Sequence, residues 1–298
     1  MADPVENLSR GGIPVSASER ALVLAGERPE GDPMATAFGT ASKVLLPVAG
    51  RPMLFHVLDA LAGADLERPF LVSALWERLR DEPTLARLVG EGVVEAVPMG
   101  RSPCLSAMEA LDRLPEEGAV FITTGDHPLL TPSLIETFLD RARRETADLV
   151  VGVTPSGPVL QAFPGRRRTV YRLSDGGFCG CNLFYLRGKR GRRVIDFWRC
   201  VESQRKSPLR LAFTIGPGAL LRYAFRRLSL SQALDHLSRK TEARVAPVIL
   251  DEPEAAVDVD RPEDRELVEE ILRRRGANPA RENATPHQGM DAHGLPRG

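Results

Sequence analysis

The sequence predicts an α/β fold, a mostly parallel sheet with helices on both faces and a helical insertion in the C-terminal half. Short apolar runs at 21–25, 69–72, 93–97, 119–122 and 149–153 have the length and composition of buried strands. Segments with apolar residues at helical spacing lie between several of them, and strands alternating with helices in this rhythm build a parallel sheet. Two aspartate motifs, Gly125-Asp126-His127-Pro128 and Asp258-Val259-Asp260, each follow a short apolar run. Parallel strands deliver side chains to the crevice at their carboxyl ends in this way.

The elements follow in order. Residues 1–19 are polar and acidic and read as a flexible leader. The strand at 21–25 ends at Gly26 and opens a long polar loop to about residue 41. The segment 52–61 begins with Pro52 and keeps apolar residues at helical spacing, as a helix opening on proline does. A helix is expected at 102–114, with Leu105, Met108 and Leu111 on one face, and another at 131–141. Beyond 153 the character changes: 166–173 and 182–186 read as strands flanking a turn at Gly176-Gly177, and 194–238 reads as helical. A last strand pair, 245–250 and 255–259, leads into a helix from Arg261-Pro262 to about Arg275, with proline and acidic residues in its first turn. Residues 276–298 have little to bury and read as a disordered tail, leaving one domain over 20–275.

Composition narrows the function. With 40 basic and 40 acidic residues the chain has no global field to draw it to nucleic acid. Four scattered cysteines do not make a disulfide framework, and Cys179 and Cys181 read as small buried hydrophobes. No apolar run approaches the ~20 residues that span a bilayer, and the first residues carry no apolar signal segment. The expected compartment is the cytoplasm.

Carboxylates from Asp126 and Asp258 brought to one crevice would hold a divalent cation, and Mg²⁺ binds through one or two carboxylates plus substrate phosphates. Glycine after a strand, as in Leu24-Ala25-Gly26, lets the backbone approach a phosphate or base closely. Arg28 would meet a polyphosphate as a planar fork and Lys43 as a point charge. His127 has no serine or cysteine nucleophile signature beside it and reads as a packing residue.

The string from Leu22 to Leu61, the segment Thr124-Gly125-Asp126-His127-Pro128, and Asp258-Val259-Asp260-Arg261-Pro262-Glu263-Asp264 resemble, in order and spacing, the MobA-like NTP transferases. That resemblance implies a Rossmann-like sheet and a nucleotidyltransferase that moves NMP from an NTP to a phosphorylated small acceptor, a sugar or polyol phosphate. It further implies that Leu24, Ala25, Gly26, Ser102 and Ser106 bind the nucleotide, with Arg28 on the β/γ-phosphates and Lys43 at the α-phosphate. Asp126 and Asp258, with Asp260 as second choice in its motif, would coordinate Mg²⁺, or Mn²⁺ in its place. Asn182 matches an acceptor-side asparagine, and Arg166 and Arg168, on one face if their stretch is a strand, would hold an acceptor phosphate.

One departure stands out. The family pattern has a second glycine where this chain has Glu27, and an acidic residue beside a triphosphate is unfavourable unless it faces away or helps bind metal. The altered loop keeps open a non-catalytic nucleotide-binding module. The Asp-x-Asp form at 258–260 keeps open a GT-A type glycosyltransferase, although that motif belongs mid-chain. The basic run 187–193 reads as a solvated loop and admits contact with an anionic membrane surface. The helical stretch 194–238 reads as an acceptor lid or a homodimer contact, with Arg205-Lys206 closing over the acceptor.

Overall fold

The computed structural model describes residues 19–27, 30–204 and 214–277. Residues 1–18 of the expected leader, Arg28, Arg205-Lys206 and the tail beyond 277 lie outside the described residues, while Glu19 belongs to the first strand and not to the leader. The strands are β1 (Glu19–Ala25), β2 (Pro47–Val48), β3 (Arg51–Pro52), β4 (Glu67–Ala74) and β5 (Val94–Pro98). They continue with β6 (Ala119–Thr124), β7 (Leu149–Pro155), β8 (Tyr171–Leu173), β9 (Gly176–Arg187) and β10 (Val245–Ile249).

The eight-stranded sheet runs β10-β7-β9-β6-β1-β4-β5, with β8 hydrogen-bonded to β9. The neighbours β1/β4, β1/β6, β4/β5 and β10/β7 are parallel, while β9 is antiparallel to β6, β7 and β8. From β1 the chain moves outward to β4 and β5, then returns to place β6 on the other side of β1. This reversal is the topological switch point, and the crevice outside the carboxyl ends of β1 and β6 is where such sheets bind ligands.

Period-two alternation builds the two sides of the core. Ala21, Val23 and Phe121 face the layer of helices Met53–Ala62 and Pro132–Arg144, packing with Leu54, Leu58, Leu61, Ile135 and Phe138. Leu22, Val120 and Ile122 face the opposite layer, with Ala107, Ala110 and Leu111 of helix Pro103–Leu111 and Val194 of helix Gly188–Gln204. A third cluster, including Leu129, Val257, Val259, Val268 and Ile271, seats the C-terminal helix Pro262–Ala277 beside the crevice.

Four expectations need correction. The loop to residue 41 contains helix Pro33–Phe38, capped by the Asp32 side chain on Met34 N–H at 2.8 Å. Residues 255–259 are not a strand: a 3-10 turn, Pro253–Ala256, leads into extended chain, because Val257 and Val259 bury against the C-terminal helix rather than pairing in the sheet. Only Tyr171–Leu173 of the expected 166–173 strand is paired, and Arg166–Val170 is irregular. The basic run 187–193 is not a loop but begins helix Gly188–Gln204: Arg187 donates to the carbonyls of Ala142 and Arg143, Lys189 pairs with Glu116 and Arg193 with Glu242, while Arg190 is exposed. The helical stretch is broken into Gly188–Gln204, Pro217–Ala224 and Leu230–Thr241. Among the described residues no helix is long and apolar enough to cross a membrane.

Candidate active site

Parallel pairing of Leu24 with Thr124 brings the ends of β1 and β6 out side by side. Gly125 N–H continues the ladder to Leu24 C=O at 2.9 Å. A Cβ at Gly125 would lie 3.0 Å from Val44 Cγ1 and 3.1 Å from Ala25 Cβ, so glycine lets these two turns close on each other. Asp126 follows, and its carbonyl accepts from Val259 N–H at 3.0 Å. That single backbone bond lays Asp258-Val259-Asp260 against Gly125-Asp126.

Lys43 joins the two motifs. Its Nζ donates to Asp126 Oδ2 and to Asp260 Oδ1, both at 2.7 Å, with the side chain 12% exposed. Burial opposes the charge on Lys43, but Asp126 and then Asp260 outweigh it and hold the ammonium protonated. Burial likewise opposes ionisation of Asp126, and the Lys43 ammonium holds its carboxyl below the usual range. Asp258 behaves oppositely: burial first, then Asp126 and Asp260, push its pKa up to about 6.

Asp258 is held by two donors. Asn182 Nδ2 donates to Oδ2 at 3.2 Å, and Arg168 lies 3.5 Å from Oδ1. Asn182 has a left-handed φ of 52°, where the β7/β9 register shifts between Val151 and Val153. Such bulges re-aim a side chain. Arg168 is only 6% exposed and also pairs with Asp264 at 3.1 Å. Asp264 accepts from the N–H groups of Asp260 (3.2 Å) and Arg261 (3.1 Å), satisfying the donors at the start of the C-terminal helix.

Gly26 leaves the end of β1 open. A Cβ there would sit 3.6 Å from Met99 Sδ and 3.9 Å from Ser106 Oγ. Ser106 is buried and accepts from Gly100 N–H at 3.0 Å, whereas Ser102 caps its helix by accepting from Leu105 N–H at 3.3 Å. Glu27 turns out of the crevice. Its carboxylate accepts from Arg78 Nη1 at 2.9 Å and from Lys43 N–H at 3.2 Å.

Lys43, Asp126, Asp258, Asp260, Asn182 and Arg168 therefore form one connected group, with Gly26 and Ser106 beside each other at the end of β1. Arg166 does not join it: its backbone bonds to Phe163, and its side chain enters no hydrogen bond or ion pair among the described residues. His127 is buried, with neither ring nitrogen hydrogen-bonded among the described residues, and burial lowers its pKa to about 4 against the pull of Asp126. Sequence reasoning placed Asp264 only as an acid in the first turn of the last helix and missed its pairing with Arg168; Arg78 and Met99 carried no signal.

The group suits a divalent cation. Asp126 Oδ1 is buried with no partner among the described residues, and the neighbouring carboxylates raise the pKa of Asp258. Among the described residues no three His, Cys, Asp or Glu side chains group so as to hold a metal ion by themselves. An open pair of carboxylates is nevertheless what Mg²⁺ uses when phosphates complete its shell.

These features define an α/β protein whose reactive groups, a lysine and a set of aspartates, gather at the switch-point crevice of its sheet. The chain belongs to the MobA-like NTP transferase family, whose domain matches residues 21–245. A 2-C-methyl-D-erythritol 4-phosphate cytidylyltransferase from Cereibacter sphaeroides is 40% identical over 128 residues, 42% of this chain and 54% of that protein. The bifunctional protein GlmU of Rhodospirillum rubrum is 32% identical over 165 residues, 49% of this chain and 35% of GlmU. The chain thus spans about half the length, or less, of these curated relatives. A solved structure, a hypothetical transferase from Thermus thermophilus, superposes with a TM-score of 0.70 at 33% identity, covering 84% of this chain and 99% of that one.

Proposed function

We propose that the protein is a Mg²⁺-dependent nucleotidyltransferase that transfers NMP from an NTP to a phosphorylated sugar or polyol. An acceptor phosphate oxygen attacks the α-phosphorus, the bond to the bridging oxygen breaks, and pyrophosphate leaves with the electron pair. The observation that carries this reading is the Lys43 ammonium, 2.7 Å from both Asp126 and Asp260 at the mouth of the β1 glycine turn. A buried cation at that point exchanges its carboxylate partners for the α-phosphate when NTP arrives, and neutralises charge that builds up there during attack. Nucleotidyl transfer needs positioning and charge neutralisation more than a covalent nucleophile.

Asp126 and Asp258, with Asp260 beside them, would hold the Mg²⁺, which when bound neutralises phosphate charge. The turn at Gly26, with Ser106 next to it, receives the nucleotide, and Arg28 takes the β/γ-phosphates. The acceptor is assigned to the β9 side of the crevice, where Asn182 and Arg168 border Asp258. The turn of Glu27 away from the crevice supports catalysis over a binding module, since its charge does not confront the triphosphate. The cytidylyltransferase relative makes CTP with a polyol phosphate the first pair to try.

The test is pyrophosphate release with Mg²⁺, each of the four NTPs, and a pool of sugar and polyol phosphates. Release with one NTP, abolished by EDTA, is expected. No release with any pair, and no NTP binding, would overturn the reading.

A further inference from the structure

We infer that Glu27 and Arg78 are positioning residues, a carboxylate–guanidinium strut, buried at its Glu27 end, that fixes where the Lys43 ammonium stands. The inference rests on the proposed reaction but concerns a feature that the reaction does not itself require. Glu27 stands where the family pattern has a second glycine. Its side chain is 1% exposed, so the carboxylate belongs to the protein interior and not to the ligand space.

Both oxygens of that carboxylate are committed. Oε2 accepts from the backbone N–H of Lys43, the first residue of the 3-10 turn Lys43–Leu45. That N–H has no partner within the turn, and Ser42 makes no side-chain cap, so Glu27 supplies the missing acceptor. Oε1 accepts from Arg78, at the end of the 3-10 turn Trp76–Arg78 that follows β4. That turn is itself anchored: Trp76 Nε1 donates to Val72 C=O (3.2 Å) and to Val97 C=O (3.0 Å), in β4 and β5. A chain of polar contacts thus runs from the sheet, through Arg78 and Glu27, to the backbone of Lys43.

From the other side, Val44 packs where a Cβ on Gly125 would be, 3.0 Å away, beside Asp126. The turn carrying Lys43 is therefore held at its N–H by Glu27 and at its next side chain by Gly125. A glycine at position 27 would offer neither acceptor. Misplacement of a reacting group by about 1 Å costs on the order of 10²-fold in rate, so the strut acts on turnover through Lys43 while touching no substrate.

The test uses the full chain carrying Glu27→Ala, Glu27→Gln, Arg78→Ala and the Glu27→Ala/Arg78→Ala pair. Hydrogen exchange is read over residues 42–45 without ligand, and pyrophosphate release with the NTP and acceptor found for the wild type. Expected for Glu27→Ala are amide exchange at Lys43 faster by about tenfold or more and kcat lower by about tenfold or more, with KM for NTP within about threefold. The double variant should fall no further than the worse single one, because the two side chains act as one unit. If Glu27→Ala does not fold, Glu27→Gln, which keeps one acceptor, should show smaller changes in the same two readouts. Unchanged exchange and kcat would overturn the inference, as would tighter NTP binding once the carboxylate is gone. A wild type that releases no pyrophosphate is a failure of the proposed reaction, and the exchange at Lys43 still decides the strut.

Discussion

Burial and the neighbouring Asp126 and Asp260 oppose the charge on Asp258, and that opposition sets a pH dependence. The Asp258 pKa of about 6 lies above the ~3.9 of an unfolded aspartate, so the folded protein binds this proton more tightly. Stability from this group is therefore full below about pH 4 and lost as pH rises through about 6. His127 has the opposite sign: its pKa, lowered to about 4, costs stability as pH falls from about 6.5 to 4. The two partly cancel in the wild type, and the Asp258→Asn variant separates them. Thermal denaturation should find that variant more stable than wild type at pH 8, by about 1–3 kcal/mol, with the difference vanishing at pH 4. A variant less stable at pH 8 would show that Asn182 and Arg168 favour the charged form more than burial and the neighbouring aspartates oppose it. At this scale the sequence made the reactive side chains legible, since Lys43, Asp126 and Asp258 sit beside recognisable turns. Their partners were less so: the sequence marks Arg168 for an acceptor phosphate but not for its ion pairs with Asp258 and Asp264, and it gives no signal for Arg78, which pairs with Glu27.

The C-terminal helix Pro262–Ala277 is the element that turns a motif into a site. Its first turn places Asp264 under the backbone of Asp260 and Arg261, and the same carboxylate neutralises the buried Arg168. Asp264→Ala removes the one oxygen that accepts from both N–H groups and breaks the ion pair with Arg168, and should cost about 2–4 kcal/mol in urea denaturation. Asp264→Asn, which keeps an acceptor but not the charge, should recover part of that loss. Equal stability of Asp264→Ala and wild type would mean that the loop 258–260 is held sufficiently by Val259, Asn182, Arg168 and Lys43. Helices with a full apolar face, such as Met53–Ala62 with seven buried residues, were readable from their spacing. Helices Pro33–Phe38 and Pro83–Gly90 were not: they are six and eight residues long, and the second buries only Leu85 fully, with Leu88 and Val89 half-buried beside it. The apolar run at 255–259 misled for the converse reason: its side chains are buried, but against a helix, and burial alone does not distinguish a strand.

For the molecule as a whole, the reversal of strand order about β1 decides everything that follows. Lys43, Asp126 and Asp260 are separated by 83 and 217 positions in the bonds that join them, and only the closed sheet brings them to one edge. The parallel sheet was legible from the alternation of apolar runs with helical segments. The antiparallel β9 between β6 and β7 was not, because its glycines and cysteines read as a turn followed by a short strand, and its bulge at Asn182 is a tertiary feature. The proposed reaction, metal-dependent nucleotidyl transfer in this one crevice, puts Lys43 and Asp126 at its centre. It is tested by kcat for pyrophosphate release by Lys43→Ala and Asp126→Asn at saturating Mg²⁺, NTP and acceptor, with circular dichroism confirming the fold. A loss of about 10²-fold or more is expected in each; turnover near wild type in either folded variant would contradict the proposed reaction.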